Sequence, residues 1–150
     1  MKAIRGKPVE RIVLKGKKVV GGKAAGEAIV SREPISFIGG VDPLTGLVTE
    51  KGHELEGANV AGKVLVYPTG KGSTGASYRI YEMAYRGTAP VAFVQVEREP
   101  VATVGCIMGN IPAVDRLDQD PTAIISTGDY VEVDADDGTV TVTKKSDFKE

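Results

Sequence analysis

From Val9 to Val20 short apolar stretches flank the turn Lys15-Gly16-Lys17, a pattern that predicts two short strands. Ala24 to Val30 continues as a strand, with Gly26 where a bulge or a close backbone approach is expected. Val64-Leu65-Val66 is a continuous apolar run and reads as a buried strand. Period then changes: Ala76, Ile80, Met83, Ala84 and Gly87 fall on one stripe, predicting a helix over Thr74 to Arg86 that Gly87 ends and Pro90 keeps from resuming. Ala92 to Val96 is again a strand. Pro100 to Asn110 fits both periods, and we read it as a short helix stopped by Gly109-Asn110, before a strand starting at Ile111-Pro112. Arg116 to Thr122 reads as a charged loop. Tyr130 to Asp134 and Thr139 to Thr143 alternate strictly around Asp137-Gly138, a strong hairpin signal. The expectation is one compact α/β domain with short strands, two helices and a terminal hairpin, between a loose basic arm at Met1 to Pro8 and a polar tail from Lys144 to Glu150.

Composition narrows the function classes. A chain of 150 residues with a net charge of −1 gives no reason to expect nucleic acid or an anionic membrane as partner. No apolar run approaches the ~20 residues of a membrane span, and no signal-peptide core is visible, so the chain reads as cytoplasmic. One cysteine, Cys106, excludes an internal disulfide and is most simply a small buried hydrophobe.

The chemistry concentrates in Tyr67-Pro68-Thr69-Gly70-Lys71-Gly72-Ser73-Thr74-Gly75, which lies between a strand and a helix start. Such a turn aims backbone N–H groups and the positive end of a helix dipole at one spot, and Lys71 adds a mobile charge. It is not a nucleotide P-loop, because Lys71 is followed by Gly72 and the position five before Gly70 is Leu65. Two roles are open to Ser73: capping the helix, the commoner use, or supplying a reactive oxygen.

A second unusual stretch, Pro34 to Gly46, sets apolar residues beside Gly39-Gly40-Val41-Asp42-Pro43, which suits a structured loop better than a linker. Asp42 is either a turn former or a substrate contact. The only histidine, His53, falls in a polar stretch and reads as an exposed loop residue; an acid–base role would need a carboxylate partner, with Glu54 and Glu56 nearest in sequence.

These stretches together resemble the small, swivelling subunit of the aconitase X family, in its archaeal phosphomevalonate dehydratase branch. The resemblance runs from about Val19 to Val142. It rests on Pro34 to Gly46, His53 with Gly57, Gly62 to Val66, Gly70-Lys71-Gly72-Ser73, Ile111-Pro112 and Gly128-Asp129; Cys106 stands where a smaller residue such as alanine is expected. It implies a swivelling β/β/α fold like the mobile C-terminal domain of aconitase. It also implies a hydro-lyase that dehydrates (R)-5-phosphomevalonate to trans-anhydromevalonate 5-phosphate, in a heterodimer whose large subunit holds a [4Fe–4S] cluster. Ser73 maps onto the family's proton acceptor, and Lys71, Gly72, Thr74, Gly40 and Asp42 are the expected substrate contacts.

That role agrees with the chemistry of the turn. Expelling water from a 3-hydroxy acid requires removal of a proton alpha to a carboxylate, and a serine alkoxide is strong enough if N–H donors from Gly72 to Gly75 stabilise it. Iron in the partner can act as Lewis acid on the departing hydroxyl. One cysteine cannot hold such a cluster, so the chain is expected to bind no cofactor and to be inert alone. Three alternatives stay open: the small subunit of a cis-3-hydroxyproline dehydratase, a phosphohistidine-like carrier module, and a non-catalytic assembly subunit.

Overall fold

A computed structural model describes residues 10–71 and 73–147. The loose arm expected at Met1 to Pro8 and the last residues of the polar tail lie outside them.

The strands are β1 (Arg11–Lys15), β2 (Lys17–Val20), β3 (Lys23–Val30), β4 (Val64–Tyr67), β5 (Ala92–Gln95), β6 (Ala113–Asp115), β7 (Tyr130–Asp134) and β8 (Thr139–Thr143). The helices are α1 (Ala76–Arg86), α2 (Pro100–Gly109) and α3 (Pro121–Ile124), and a 3-10 turn closes the described chain at Lys145–Asp147. α3 corrects the expectation of a bare loop before Thr122. Asp120 caps it by accepting from the Thr122 amide, and Pro121 occupies its first turn.

The strands form one sheet in the order β1-β8-β7-β3-β4-β5-β6-β2. β3 is the seam. Its first half, Lys23 to Glu27, pairs antiparallel with β7, and its second half, Ala28 to Val30, pairs parallel with β4. Gly26 lies just before the switch, and a Cβ there would lie 3.1 Å from the Gly62 carbonyl, the expected close approach. β1 and β2 stand at opposite ends of the strand order, yet only Gly16 separates them. The sheet must therefore curl until its edges meet.

Curling gives two cores. Alternate residues of the central strands, Val64, Val66, Ala92, Val94 and Val114, face Leu14, Val131, Val140 and Val142 inside the curl. The intervening residues, Leu65, Tyr67, Phe93 and Ala113, face Ile80 and Met83 of α1 and Ala102 and Cys106 of α2. Both faces of β4 and β5 are buried, which is why they read as continuous apolar runs and not as alternating ones. The helices meet closely: a Cβ at Gly105 would stand 2.8 Å from Ile80 Cβ, and the Ser77 hydroxyl donates to the Val101 carbonyl at 2.6 Å.

The segment from Ser31 to Lys63, between β3 and β4, is ordered by burial. Ile35, Phe37, Val41, Val48, Leu55 and Val60 all enter the outer core, and Phe37 stacks on Phe93 with ring centroids 5.6 Å apart. It closes over the outer face beside α1.

Candidate active site

β4 ends at Tyr67, and the chain turns through the glycine-rich stretch at the carboxyl end of the parallel strands. A turn from a parallel strand into a helix N-terminus aims backbone N–H groups at one spot there. The first turns of the 31–63 segment join it there. Ile35 forms a parallel bridge with Gly70, the Ile35 amide donates to the Thr69 carbonyl at 3.4 Å, and the Lys71 amide donates to the Ile35 carbonyl at 3.0 Å. Gly70 is backed from the other side by Glu99: a Cβ at Gly70 would stand 2.5 Å from Glu99 Oε1, so a larger residue would have to displace that carboxylate. Glu99 is itself held as the N-cap of α2, accepting from the Val101 and Ala102 amides.

Ser73 does not cap α1. The N-cap is Gly75, and no side chain caps the helix. Ser73 contributes only its carbonyl, which accepts from the Ala76 amide at 3.0 Å, and its side chain is exposed. Of the two uses open to this serine, capping is the one the structure removes. The positive end of α1 receives no side-chain hydrogen bond and lies next to an oxygen that an anion-stabilising field would activate.

The two stretches singled out in the sequence come together here. A Cβ on Gly75 would lie 3.3 Å from Ile38 Cδ1 and 3.9 Å from Ser73 Oγ, so Ile38 and the serine hydroxyl border the same glycine. Arg79, one turn into α1, donates to the Phe37 carbonyl at 3.5 Å. Lys71 reaches the segment through its ammonium, 2.8 Å from Glu50 Oε2. Glu50 in turn lies against Gly40, where a Cβ would stand 3.1 Å from its Oε1 and only 2.3 Å from the Ser36 carbonyl. Lys71, Gly40 and Ser73 thus share one rim, with Thr74 exposed beside them. Gly72 lies outside the described residues.

Asp42 is placed differently. Its Oδ1 accepts from the Leu44 amide at 2.9 Å and its carbonyl from the Gly46 amide at 2.8 Å, so it builds a turn. The neighbouring Pro43 carbonyl accepts from Thr88 at 2.7 Å, just past the C-terminal end of α1. Ser73 precedes the other end of that helix, whose eleven residues span roughly 16 Å. The structure therefore joins Gly40, and not Asp42, to the Ser73 turn.

His53 corrects the sequence reading. It is buried, with Nε2 donating to the Pro34 carbonyl at 3.0 Å and Nδ1 accepting from the Leu55 amide at 3.0 Å. The nearest carboxylate is Glu33, 4.0 Å from Nδ1, and not Glu54 or Glu56. With both ring nitrogens engaged, it is no phosphate carrier. Glu50, Glu99 and Arg79 carried no signal in the sequence, because each is defined by a partner twenty or more residues away.

Tyr67 and Cys106 are buried together in the outer core. Burial pushes the Tyr67 phenol well above its ordinary value, with the nearby Cys106 and Glu99 adding to the effect, and its hydroxyl donates to Gln95 at 3.0 Å. Burial likewise raises the Cys106 thiol. Both stay neutral and structural.

The Aconitase X swivel domain model matches residues 13–142. The chain belongs to the aconitase X swivel-domain family. Among relatives in that family, the phosphomevalonate dehydratase small subunit of Methanocella arvoryzae is 51% identical over 127 residues, 85% of this chain and 96% of that one. The corresponding subunit of Thermococcus kodakarensis is 50% identical over 129 residues, 86% of this chain and 95% of that one. In structure, the swivel domain resembles the crystal structure of Thermococcus kodakaraensis aconitase X in its holo-form, with a TM-score of 0.84, 48% identity, and coverage of 89% of this chain and 99% of that one. The swivelling β/β/α expectation stands. No helix among the described residues is long and apolar enough to cross a membrane.

Proposed function

We propose that this swivel domain is the small subunit of a phosphomevalonate dehydratase, acting as one swivelling unit with a large subunit. Its relatives carry that name, and "small subunit" implies a larger partner. The observation that carries the reading is Ser73: an exposed hydroxyl at the head of α1 that caps nothing.

In the proposed reaction Ser73 Oγ, as alkoxide, takes the proton alpha to the substrate carboxylate, while the 3-hydroxyl leaves as water or hydroxide on the partner's side. The uncapped α1 terminus and the turn's N–H groups stabilise the alkoxide. Lys71, Thr74 and Gly40 border the substrate, and Asp42 shapes the loop that faces the partner, where Ile38 and Leu44 are exposed. The family's [4Fe–4S] cluster supplies Lewis acidity when bound. This chain's residues do not fit it: Cys106 is buried, and among the described residues no three His, Cys, Asp or Glu side chains are grouped to hold a metal. The cluster is assigned to the large subunit.

The test is Ser73→Ala, reconstituted with the cognate large subunit and assayed on (R)-5-phosphomevalonate and on cis-3-hydroxyproline. Turnover on phosphomevalonate should fall by at least ~100-fold, with assembly unchanged. More than about a tenth of wild-type turnover would rule out the base assignment. Turnover of hydroxyproline alone by the wild-type complex would overturn the substrate.

A further inference from the structure

We propose that Glu50 is a positioning residue of this site: it latches the 31–63 segment to the Ser73 turn through Lys71 and fixes where the Lys71 charge stands. The inference rests on the reading of Ser73 as base and deepens it.

Glu50 touches both halves of the rim. One carboxylate oxygen, Oε2, holds the Lys71 ammonium at 2.8 Å. The other, Oε1, lies over Gly40, 3.1 Å from where a Cβ would be. The Glu50 and Thr49 amides both donate to the Gly40 carbonyl, at 3.3 and 2.9 Å. Lys71 is tied to the same segment at two points, by its ammonium to Glu50 and by its amide to the Ile35 carbonyl. The residue next but one in the chain is Ser73.

The pair is half in water, with side-chain exposures of 28% for Glu50 and 50% for Lys71. An ion pair so placed adds little to the stability of a free chain. Its worth lies in the assembled enzyme. A partner covering the rim removes water, and charges at fixed positions then act at lower effective dielectric. An unheld lysine would swing toward any anion, including the substrate. Held by Glu50, it stays beside the turn as a neutralised pair, and the serine's charge environment is set by the helix terminus and the N–H groups.

The sign of the effect follows. Glu50→Gln keeps a hydrogen-bond acceptor and removes the negative charge, so the Lys71 charge is no longer balanced. An excess positive charge on the side chain two residues before Ser73 favours the alkoxide.

The experiment compares wild type, Glu50→Gln, Glu50→Ala and Ser73→Ala, each reconstituted with the cognate large subunit. Two readouts are taken: kcat/KM for (R)-5-phosphomevalonate against pH, and hydrogen exchange over the peptide containing Lys71. In Glu50→Gln the rising limb of the profile should move about one pH unit lower. In Glu50→Ala exchange at Lys71 should speed up at least tenfold. A rising limb that stays in place in Glu50→Gln, or unchanged exchange in Glu50→Ala, overturns the positioning role, since a purely structural residue would change the height of the profile and not its position. Ser73→Ala separates the two ideas. If it stays active, the base reading fails; the exchange result still decides the latch.

Discussion

The imidazole of His53 stands between two backbone strangers, donating from Nε2 to the Pro34 carbonyl and accepting at Nδ1 from the Leu55 amide, each at 3.0 Å. A carbonyl can only accept and an amide can only donate, so these partners fix the Nε2–H tautomer. Pro34 leads directly into Ile35, which brackets Gly70 and Lys71. A buried ring thus holds the loop that holds the Ser73 turn.

His53→Ala strands a buried carbonyl and a buried amide. Each such loss costs about 1–3 kcal/mol. We expect a lower urea midpoint and faster exchange at the Leu55 amide, with Ser73 chemistry impaired through position alone. A His53→Ala protein with wild-type exchange at Leu55 would show that the ring is dispensable to the loop.

Gly75→Ala tests the crowding at the serine. The new methyl would stand 3.3 Å from Ile38 Cδ1 and 3.9 Å from Ser73 Oγ. Backbone strain is not at issue, since φ at Gly75 is −65°. Stability should hardly change, while turnover with the large subunit should drop tenfold or more as Ile38 is pushed against the substrate space. Unchanged turnover would mean that the substrate does not approach this side of the serine.

Asp129 is fully buried and accepts from the Ser126 amide at 2.7 Å, the Lys144 ammonium at 2.6 Å and the Lys145 amide at 2.9 Å. Asp129→Asn puts an amide against the Lys144 ammonium and leaves a charge without its counterpart. A loss of about 3 kcal/mol is expected from chemical unfolding. Gly128-Asp129 is then a structural fastening between β3, the start of β7 and the segment after β8.

Stability should fall in alkali. Burial raises the folded-state values of Cys106 and Tyr67, so the folded chain keeps protons that the unfolded chain gives up. The contribution is complete below the unfolded values, about 8.5 for cysteine and about 10 for tyrosine, and is lost as pH rises above them. Urea midpoints measured from pH 8 to 10.5 should decline, and Cys106→Ala should flatten the part between pH 8.5 and 10. A midpoint that holds steady to pH 10.5 contradicts this account.

Much of the architecture is legible in the sequence because it depends on local pattern. The stripe from Ala76 to Gly87 marks α1, the run Val64 to Val66 marks a strand buried on both faces, and Asp137-Gly138 marks the final hairpin. The helix reading of Pro100 to Asn110 holds, and a proline at its start with a left-handed Asn110 at its end explains why. α3 had a local signal too, Asp120 ahead of Pro121, hidden among charged residues. What the sequence leaves out is set by distance along the chain. Nothing near His53 announces its burial or its Pro34 partner, nineteen residues away. Nothing near Lys71 announces its charge partner, because Glu50 is twenty-one residues away. At Ser73 local pattern favours a cap, and only the helix beginning at Ala76 removes that use.

The pairing of Arg11 with Thr143 sets a timetable for making this protein. β1 leaves the ribosome before its partner β8, with most of the described chain between them. Until then one edge of β1 stays open, and open edges recruit other chains. The contacts that seal the curl join the two ends of the described chain, which places folding toward the slow end for a domain of this size. A nascent chain stalled before Thr139 has its α1 turn and Ser73 already synthesised, yet no closed sheet to hold them.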